Sequence, residues 1–447
     1  MIVSQSAPPV DFQVHPGGAL HGRFRVPGDK SMSHRAVMLG ALAEGDTEVS
    51  GFLEGADALA TLEAFRRMGV SIEGPRHGEL RIRGVGLHGL RAADGPLDVG
   101  NSGTSMRLLA GLLAGQRFDS VLTGDDSLRR RPMGRVTEPL ATMGARIEAT
   151  PEGTAPLHIR GDQSLQGVRY EMPVASAQVK SALLLAGLYA DGETWVHEPA
   201  PTRDHTERML QGFGYPVQRQ GAWSGVSGGG RLQGGALDVP ADISSAAFFL
   251  VGASIAAGSD LVLEHVGINP TRTGVLDVLG HMGADIEIRN RRESGGEEVG
   301  DLRVQARPLH GLTIPERLVP LAIDEFPALF IAAACAHGRT VLTGARELRV
   351  KESDRIAVMA DGLAAVGIHA EPREDGIVIE GGRIRGGTVD SHGDHRIAMA
   401  FAMAGLVSEA PITIRNCRNV DTSFPGFVVL AREAGANVEE MHDGEAQ

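Results

Sequence analysis

The sequence predicts an α/β protein of two pseudo-symmetric domains, each built from three repeated α/β units of about 70 residues, and three observations carry the prediction. Six amphipathic stretches end alike, in an apolar residue followed by Gly and a strand-like run: Met68-Gly69, Met143-Gly144, Phe213-Gly214, Met282-Gly283, Val366-Gly367 and Ala434-Gly435. Between them recur six stretches of Ala, Leu and Gly that are apolar on every side: RAVMLGALA, MRLLAGLLAG, KSALLLAGLYA, AAFFLVGASIAAG, ALFIAAACAHG and RIAMAFAMAGL. The string Val26-Pro27-Gly28-Asp29-Lys30-Ser31 is echoed, half a chain later, by Val239-Pro240-Ala241-Asp242-Ile243-Ser244. A unit of this size cannot bury its own apolar face alone, so the six must share cores.

Each unit opens with the helix that is apolar all round, which is an interior helix. A turn and a β-branched run follow, as in TEVSGF, SVLTG, TWVHE, DLVLEHV, TVLTG and ITIRNC, and read as a strand. The outer helix comes next, clearest in Val275, Val278, Leu279 and Met282 at i, i+3, i+4, i+7. The glycine after it takes the left-handed conformation that ends a helix. Two further strands complete the unit. The sixth unit lacks its last strand, because the chain passes from the run near Val438 into the polar EEMHDGEAQ. The segment FQVHPGGALHGRFRV near the start can supply it. The predicted division is therefore 28–239 for the first domain, and 1–27 plus 240–447 for the second, closed by the N-terminal strand, with two crossing segments between them.

Composition narrows the function. With 60 Gly and 4% aromatics the core must be mainly Ala, Leu, Val and Met, which suits closely packed helix and sheet layers. The 43 basic and 56 acidic side chains give a net charge of −13, the wrong sign for a general nucleic-acid or anionic-membrane surface. An anionic ligand must be held by a local cluster. Two cysteines, Cys335 and Cys417, cannot build a disulfide framework and suit a reducing compartment. The start MIVSQSAPPVDF lacks the basic and apolar regions of a signal peptide, and the longest apolar runs fall short of a membrane span. The expectation is a cytoplasmic protein.

Polar clusters recur where helices begin: KSMSHR, GNSGTSMR, ASAQVK, ADISSA, IDEFP and GDHR at the inner helices, RRRPMGR, PTRDH, NPTRTG and VKESDR at the outer ones. Unpaired N–H groups and the dipole make such ends anion sites. Cations placed there are disfavoured unless an anion sits between them. Lys30, Arg35, Arg107, Arg131, Arg203, Lys351, Arg355 and Arg396 are thus candidates for one convergent cationic site. Taken singly, Ser31, Thr104, Ser176 and Ser244 read as helix caps, and Asp324, Glu352 and Asp354 as first-turn acids that favour the dipole. Their joint recurrence at equivalent repeat positions is what points to a site.

Other motifs fail. GVGLHG at 84–89 matches G-x-G-x-x-G, but LRAADGPLDVG follows in place of a helix. GDKS lacks the Gly-Lys pair of a P-loop. His392 and His395 flank Asp394 like metal ligands, yet Arg396 next door favours an anion, so no metal is expected.

In the order PGDKSMSHR, GNSGTSMRLL, RRPMGR, SAQVKSALLLAG, TRDHTE, NPTRTG, VKESDR, GDHRIAMAFA and TSFPGF, the chain resembles the 5-enolpyruvylshikimate-3-phosphate synthase family over nearly its whole length. The resemblance implies two domains of three inverse α/β units. It also implies transfer of the enolpyruvyl group of phosphoenolpyruvate to the 5-hydroxyl of shikimate 3-phosphate, with release of phosphate and no cofactor, in a monomer with small-molecule partners only. Carried residue by residue, it implies shikimate 3-phosphate contacts from Lys30, Ser31, Arg35, Ser176, Gln178, Arg203, Asp324 and Lys351. Phosphoenolpyruvate contacts come from Lys30, Asn101, Gly103, Arg107, Arg131, Gln178, Arg355 and Arg396.

The catalytic set expected from the resemblance is Asp324 as base for the attacking hydroxyl, Glu352 as its partner in proton transfer, and Lys30, with Lys351 orienting and neutralising. Reacting groups must meet away from water, so the halves are expected to close over the substrates. Two departures from one branch of the family stand out: Thr422 where that branch has Lys, and Leu108 where it has Pro. The rival readings are the sister transferase acting on UDP-N-acetylglucosamine, whose cysteine-bearing loop has no counterpart here, and a non-catalytic anion-binding repeat protein.

Overall fold

Ala, Leu, Met and Gly on every face of a segment leave a helix no side to turn to water, and the interior helices obey. The computed structural model describes residues 10–442. The reading of the extreme N terminus as free of a signal peptide rests largely on residues 1–9, and part of the polar tail on 443–447; both lie outside the described residues. In chain order the α-helices are α1 (Lys30–Leu42), α2 (Ala56–Arg67), α3 (Gly103–Ala114), α4 (Gly134–Thr142), α5 (Ala177–Gly187), α6 (His205–Gly212), α7 (Ile243–Ile255), α8 (Gly274–His281), α9 (Phe326–Cys335), α10 (Arg355–Ala365), α11 (His395–Ala404) and α12 (Phe427–Glu433). The odd-numbered helices are the buried ones; in α7 every residue from Ile243 to Ser254 is buried. The even-numbered helices are amphipathic, and each of the six glycines that follow them has positive φ, from +77° at Gly214 to +113° at Gly435. Small residues let the inner helices touch. A Cβ at Gly111 of α3 would lie 2.1 Å from the carbonyl oxygen of Ala182 in α5, a clash only glycine avoids.

The sheets repeat too. In most units the strand after the inner helix pairs parallel on one side with a strand brought from elsewhere in the chain, and antiparallel on the other. Ser120–Thr123 lies between Leu97–Asp98, parallel, and Leu157–Ile159, antiparallel. Asp46–Ser50 pairs parallel with Ala236–Asp238, and Asp260–Gly267 with His21–Phe24. In the last sheet Val10–Val14 runs antiparallel between Ile412–Arg415 and Val438–His442, with Val14 opposite Ile412 and Val438. The residues Glu439–His442, which read as a polar tail, are therefore strand. Among the described residues no helix is long and apolar enough to cross a membrane.

Two compact units result. One holds 28–240 and 293–298; the other holds the described part of 1–27 with 241–292 and 299–442. Each has its own hydrophobic core. The six residues 293–298 depart from the expected division, which assigned them to the second domain, and the chain crosses between units four times instead of twice. They form the tip of the hairpin made by strands Asp285–Ser294 and Glu297–Gln305. Polar bonding inside the first unit explains the exchange: Ser294 Oγ donates to Asp238 Oδ2 at 2.8 Å, and the buried Glu297 lies 2.7 Å from Nδ1 of the buried His205.

Candidate active site

In the first unit the starts of three inner helices carry the candidate residues. Asp29 caps α1, accepting from the Met32 N–H at 2.8 Å, and Lys30, the first helical residue, pairs with Asp57 at 3.1 Å. Ser31 lies one residue further in, and its carbonyl accepts from Arg35. Arg35 is buried, donating to Thr206 Oγ1 at 2.7 Å and to Ser181 Oγ at 2.9 Å. Burial pushes its pKa down to about 10, against the opposing pull of Glu207. It therefore remains a cation at neutral pH.

The start of α3 faces two guanidinium groups. Arg107 donates to Gln178 Oε1 at 2.6 Å, while Gln178 Nε2 donates to Thr104 Oγ1 at 3.0 Å. Arg131 donates to Asn101 Oδ1 at 2.6 Å, and Asn101 in turn to Asp125. Both groups close over Gly103: a Cβ there would lie 3.1 Å from Arg107 Nη1 and 3.2 Å from Arg131 Nη1. Two cations converging on one point repel, and a shared anion converts that repulsion to attraction. Ser176 caps α5, accepting from the Val179 N–H, and Arg203 lies just before α6.

The second unit holds a separate cluster. Asp324 lies within 3.4 Å of both Lys351 Nζ and Arg355 Nη1 through Oδ1, and its carbonyl accepts from Arg396 Nη1 at 3.0 Å. Glu352 pairs with Arg355 Nη2 at 2.6 Å. Arg355 itself is buried, and its Nε donates to Asp394 Oδ2 at 2.8 Å. Although burial works against its charge, Asp394, Glu352 and Asp324 together hold its pKa above the ordinary arginine value. Burial likewise opposes ionisation of Asp394, but Arg355 overrides it and keeps that carboxyl below its usual range.

The structure thus brings Lys30, Ser31, Arg35, Asn101, Gly103, Arg107, Arg131, Ser176, Gln178 and Arg203 to one unit and Asp324, Lys351, Glu352, Arg355 and Arg396 to the other. Several local expectations need correction. The caps of α1, α3 and α7 are Asp29, Ser102 and Asp242, not Ser31, Thr104 and Ser244. Asp324 and Glu352 lie in the segments before α9 and α10, outside the first turns; only Asp354 caps its helix, accepting from Ala357. Arg131, Arg203 and Lys351 also precede their helices. The paradox of Arg355 at a helix start is resolved internally, since carboxylates surround it. Asp394, posed between His392 and His395 like a metal ligand, is committed to Arg355, Ser353 and the Arg396 N–H. Thr422, in the place of a family Lys, turns its hydroxyl to the Asn419 carbonyl at 2.6 Å, and Leu108 is core.

Sequence reasoning missed His34 and Lys180, for neither has a distinctive spacing. Lys180 is buried between Glu198 and Glu207, 2.8 Å from each. His34 is fully buried, and desolvation lowers its pKa from 6.5 to about 3, although Asp57 pulls the other way. The unfolded chain binds this proton below 6.5 while the folded one does not until about 3. Stability from this residue is therefore present above 6.5 and lost on acidification. Between pH 6.5 and 5 the loss should reach about 1.6 kcal/mol, the slope approaching about 1.4 kcal/mol per unit only below 6.5. Denaturation midpoints of the protein and of His34→Gln across that range measure it; parallel pH slopes would refute it.

The EPSP synthase (3-phosphoshikimate 1-carboxyvinyltransferase) family matches residues 14–430. The 3-phosphoshikimate 1-carboxyvinyltransferase of Alkalilimnicola ehrlichii is 70% identical over 427 residues, covering 95% of this chain and 96% of that protein. That of Nitrosococcus oceani is 69% identical over 424 residues, covering 95% and 96%. A solved structure of the EPSP synthase of Acinetobacter baumannii superimposes with a TM-score of 0.89 at 60% identity, covering 97% of this chain and all of the other.

Proposed function

We propose, from the premise that this chain belongs to the EPSP synthase (3-phosphoshikimate 1-carboxyvinyltransferase) family, a division of labour between its two clusters. The family's reaction is the chain's: the enolpyruvyl group of phosphoenolpyruvate passes to the 5-hydroxyl of shikimate 3-phosphate through a tetrahedral intermediate, and phosphate leaves. Lys30, Ser31, Arg35, Ser176, Gln178 and Arg203 from the first unit, with Asp324 and Lys351 from the second, hold shikimate 3-phosphate. Lys30, Asn101, Gly103, Arg107, Arg131 and Gln178, with Arg355 and Arg396, hold phosphoenolpyruvate. The enzyme works as a cytoplasmic monomer on these small molecules without nucleic acid.

The convergence of Arg107 and Arg131 on Gly103 is the observation that most supports this reading. Each charge-assisted bond from such a group to phosphate or carboxylate adds about 1.5–3 kcal/mol net. For the chemistry, Asp324 takes the proton of the attacking hydroxyl. Lys351, 3.4 Å from it, orients the carboxylate and neutralises charge as it shifts. Glu352, tied to Arg355, faces the same events and passes protons with Asp324. Arg355 and Arg396 stabilise the phosphate as its bond to carbon breaks.

Gly103 gives a test by substitution. Within this family glyphosate competes with phosphoenolpyruvate, and a methyl at Gly103 would press on Arg107 and Arg131 at 3.1–3.2 Å. Guanidinium tips can yield a few tenths of an ångström for the shorter substrate but not for the longer inhibitor, so the methyl discriminates by clash. Gly103→Ala should raise the glyphosate inhibition constant more than the KM for phosphoenolpyruvate. Steady-state kinetics of both forms check this, and equal increases would refute the assignment of Gly103.

A further inference from the structure

Beneath the start of α3 the structure closes a ring of hydrogen bonds that the mechanism above does not use. His34, on α1, places Nδ1 2.8 Å from Thr61 Oγ1 of α2, and Nε2 3.4 Å from Ser102 Oγ, the cap of α3. Thr61 Oγ1 lies 2.6 Å from Ser105 Oγ, and Ser105 Oγ donates to Ser102 Oγ at 2.7 Å. All four side chains are buried.

One proton arrangement fits the shortest contacts of the ring. Ser102 Oγ already accepts from the Ser105 hydroxyl and from the Ser105 N–H at 3.1 Å. Its own proton must then go to His34 Nε2. That nitrogen is the acceptor, so Nδ1 carries the imidazole proton and donates to Thr61 Oγ1. The Thr61 hydroxyl donates to Ser105 Oγ at 2.6 Å, the nearer of its two acceptors, since the Asp57 carbonyl lies at 3.3 Å, and the circuit is complete; the Nδ1 proton, nearest Thr61, also lies 3.2 Å from Ser105 Oγ. A second proton on the imidazole would set two donors against each other at Ser102 and open the ring.

We infer that His34 is a positioning residue: a neutral imidazole, protonated on Nδ1, that closes this ring and so fixes the end of α3 carrying Gly103, Thr104 and Arg107. The inference rests on the assignment of Gly103 and Arg107 to phosphoenolpyruvate. α1 has anchors of its own, in the Asp29 cap and in the bonds of Arg35 to Thr206 and Ser181. The side chain of α1 that reaches the cap of α3 is His34, through Ser102 Oγ. Opening the ring should therefore loosen the phosphoenolpyruvate contacts of α3 more than the shikimate 3-phosphate contacts of α1. The charged groups that act on His34 oppose one another, Asp57 and Asp29 favouring protonation, Lys30 and Arg35 disfavouring it.

Two measurements on the full-length protein test this. In His34→Leu the KM for phosphoenolpyruvate should rise at least about tenfold while that for shikimate 3-phosphate changes less than about threefold, and Ser105→Ala should move them the same way by a smaller factor. Equal rises in both KM values, or a fall in thermal midpoint with KM values unchanged, would overturn the role. Independently of any variant, 15N spectra of the histidine-labelled protein should show one imidazole protonated at Nδ1 alone and unchanged from pH 8 to 5. An Nε2-protonated or titrating His34 would overturn the ring. Absence of phosphate release by the unmodified protein would instead defeat the functional reading and leave the tautomer still to be decided by the spectra.

Discussion

Asp324→Asn should lower kcat at least about a hundredfold and leave both KM values within a few fold, the signature of losing a base that acts only as the transition state is approached. Asparagine has the same shape and can still accept hydrogen bonds from Lys351 and Arg355, each 3.4 Å from Oδ1. It cannot accept the proton of the attacking hydroxyl. The fold should tolerate the change, because Arg355 keeps Asp394 at 2.8 Å and Glu352 at 2.6 Å, and the Asp324 carbonyl that receives Arg396 is main chain. Single-turnover and steady-state phosphate release separate the outcomes. Near-normal turnover would remove Asp324 from the chemistry and leave it a binding residue.

Asp394→Ala should act on stability with comparable force. Asp394 is wholly buried and accepts from Arg355 Nε, from Ser353 Oγ at 3.0 Å and from the Arg396 N–H at 3.0 Å. Its loss removes the cap of α11 and strips the buried Arg355 of its shortest Nε partner. Leaving a buried charge poorly compensated costs about 3–5 kcal/mol. Urea denaturation should show that loss as a lower midpoint, and Asp394→Asn, which can still cap the helix, should recover only part of it. A shift equivalent to less than about 1 kcal/mol, the scale of an exposed ion pair, would mean that Arg355 is satisfied by Glu352 and Asp324 alone.

The repeat architecture was legible because it is written in short-range signals. A helix apolar on every face can only be interior, and a glycine placed after Met68, Met143 or Met282 ends a helix whatever surrounds it. The basic residues of the site were legible as a set, since they recur at the same place in each unit. Their partners were not. Arg355 draws carboxylates from positions 324, 352 and 394, and no local pattern marks residues far apart in the chain as neighbours. The same holds for the ring around His34, which joins three helices through side chains that each read as ordinary buried hydroxyls. Capping failed at α3 for a local reason: Ser102, Thr104 and Ser105 can all cap, and only backbone geometry selects Ser102. The hairpin tip 293–298 left its expected domain because a few polar bonds, those of Ser294 and Glu297, outweigh the proximity of the rest of its hairpin in sequence.

The most direct test is phosphate release from phosphoenolpyruvate by the purified protein, with shikimate 3-phosphate or UDP-N-acetylglucosamine as acceptor. The two clusters, acting together as assigned, predict stoichiometric phosphate and enolpyruvyl product with shikimate 3-phosphate and none above background with the nucleotide sugar. Turnover with UDP-N-acetylglucosamine, or silence with both acceptors, would contradict the account.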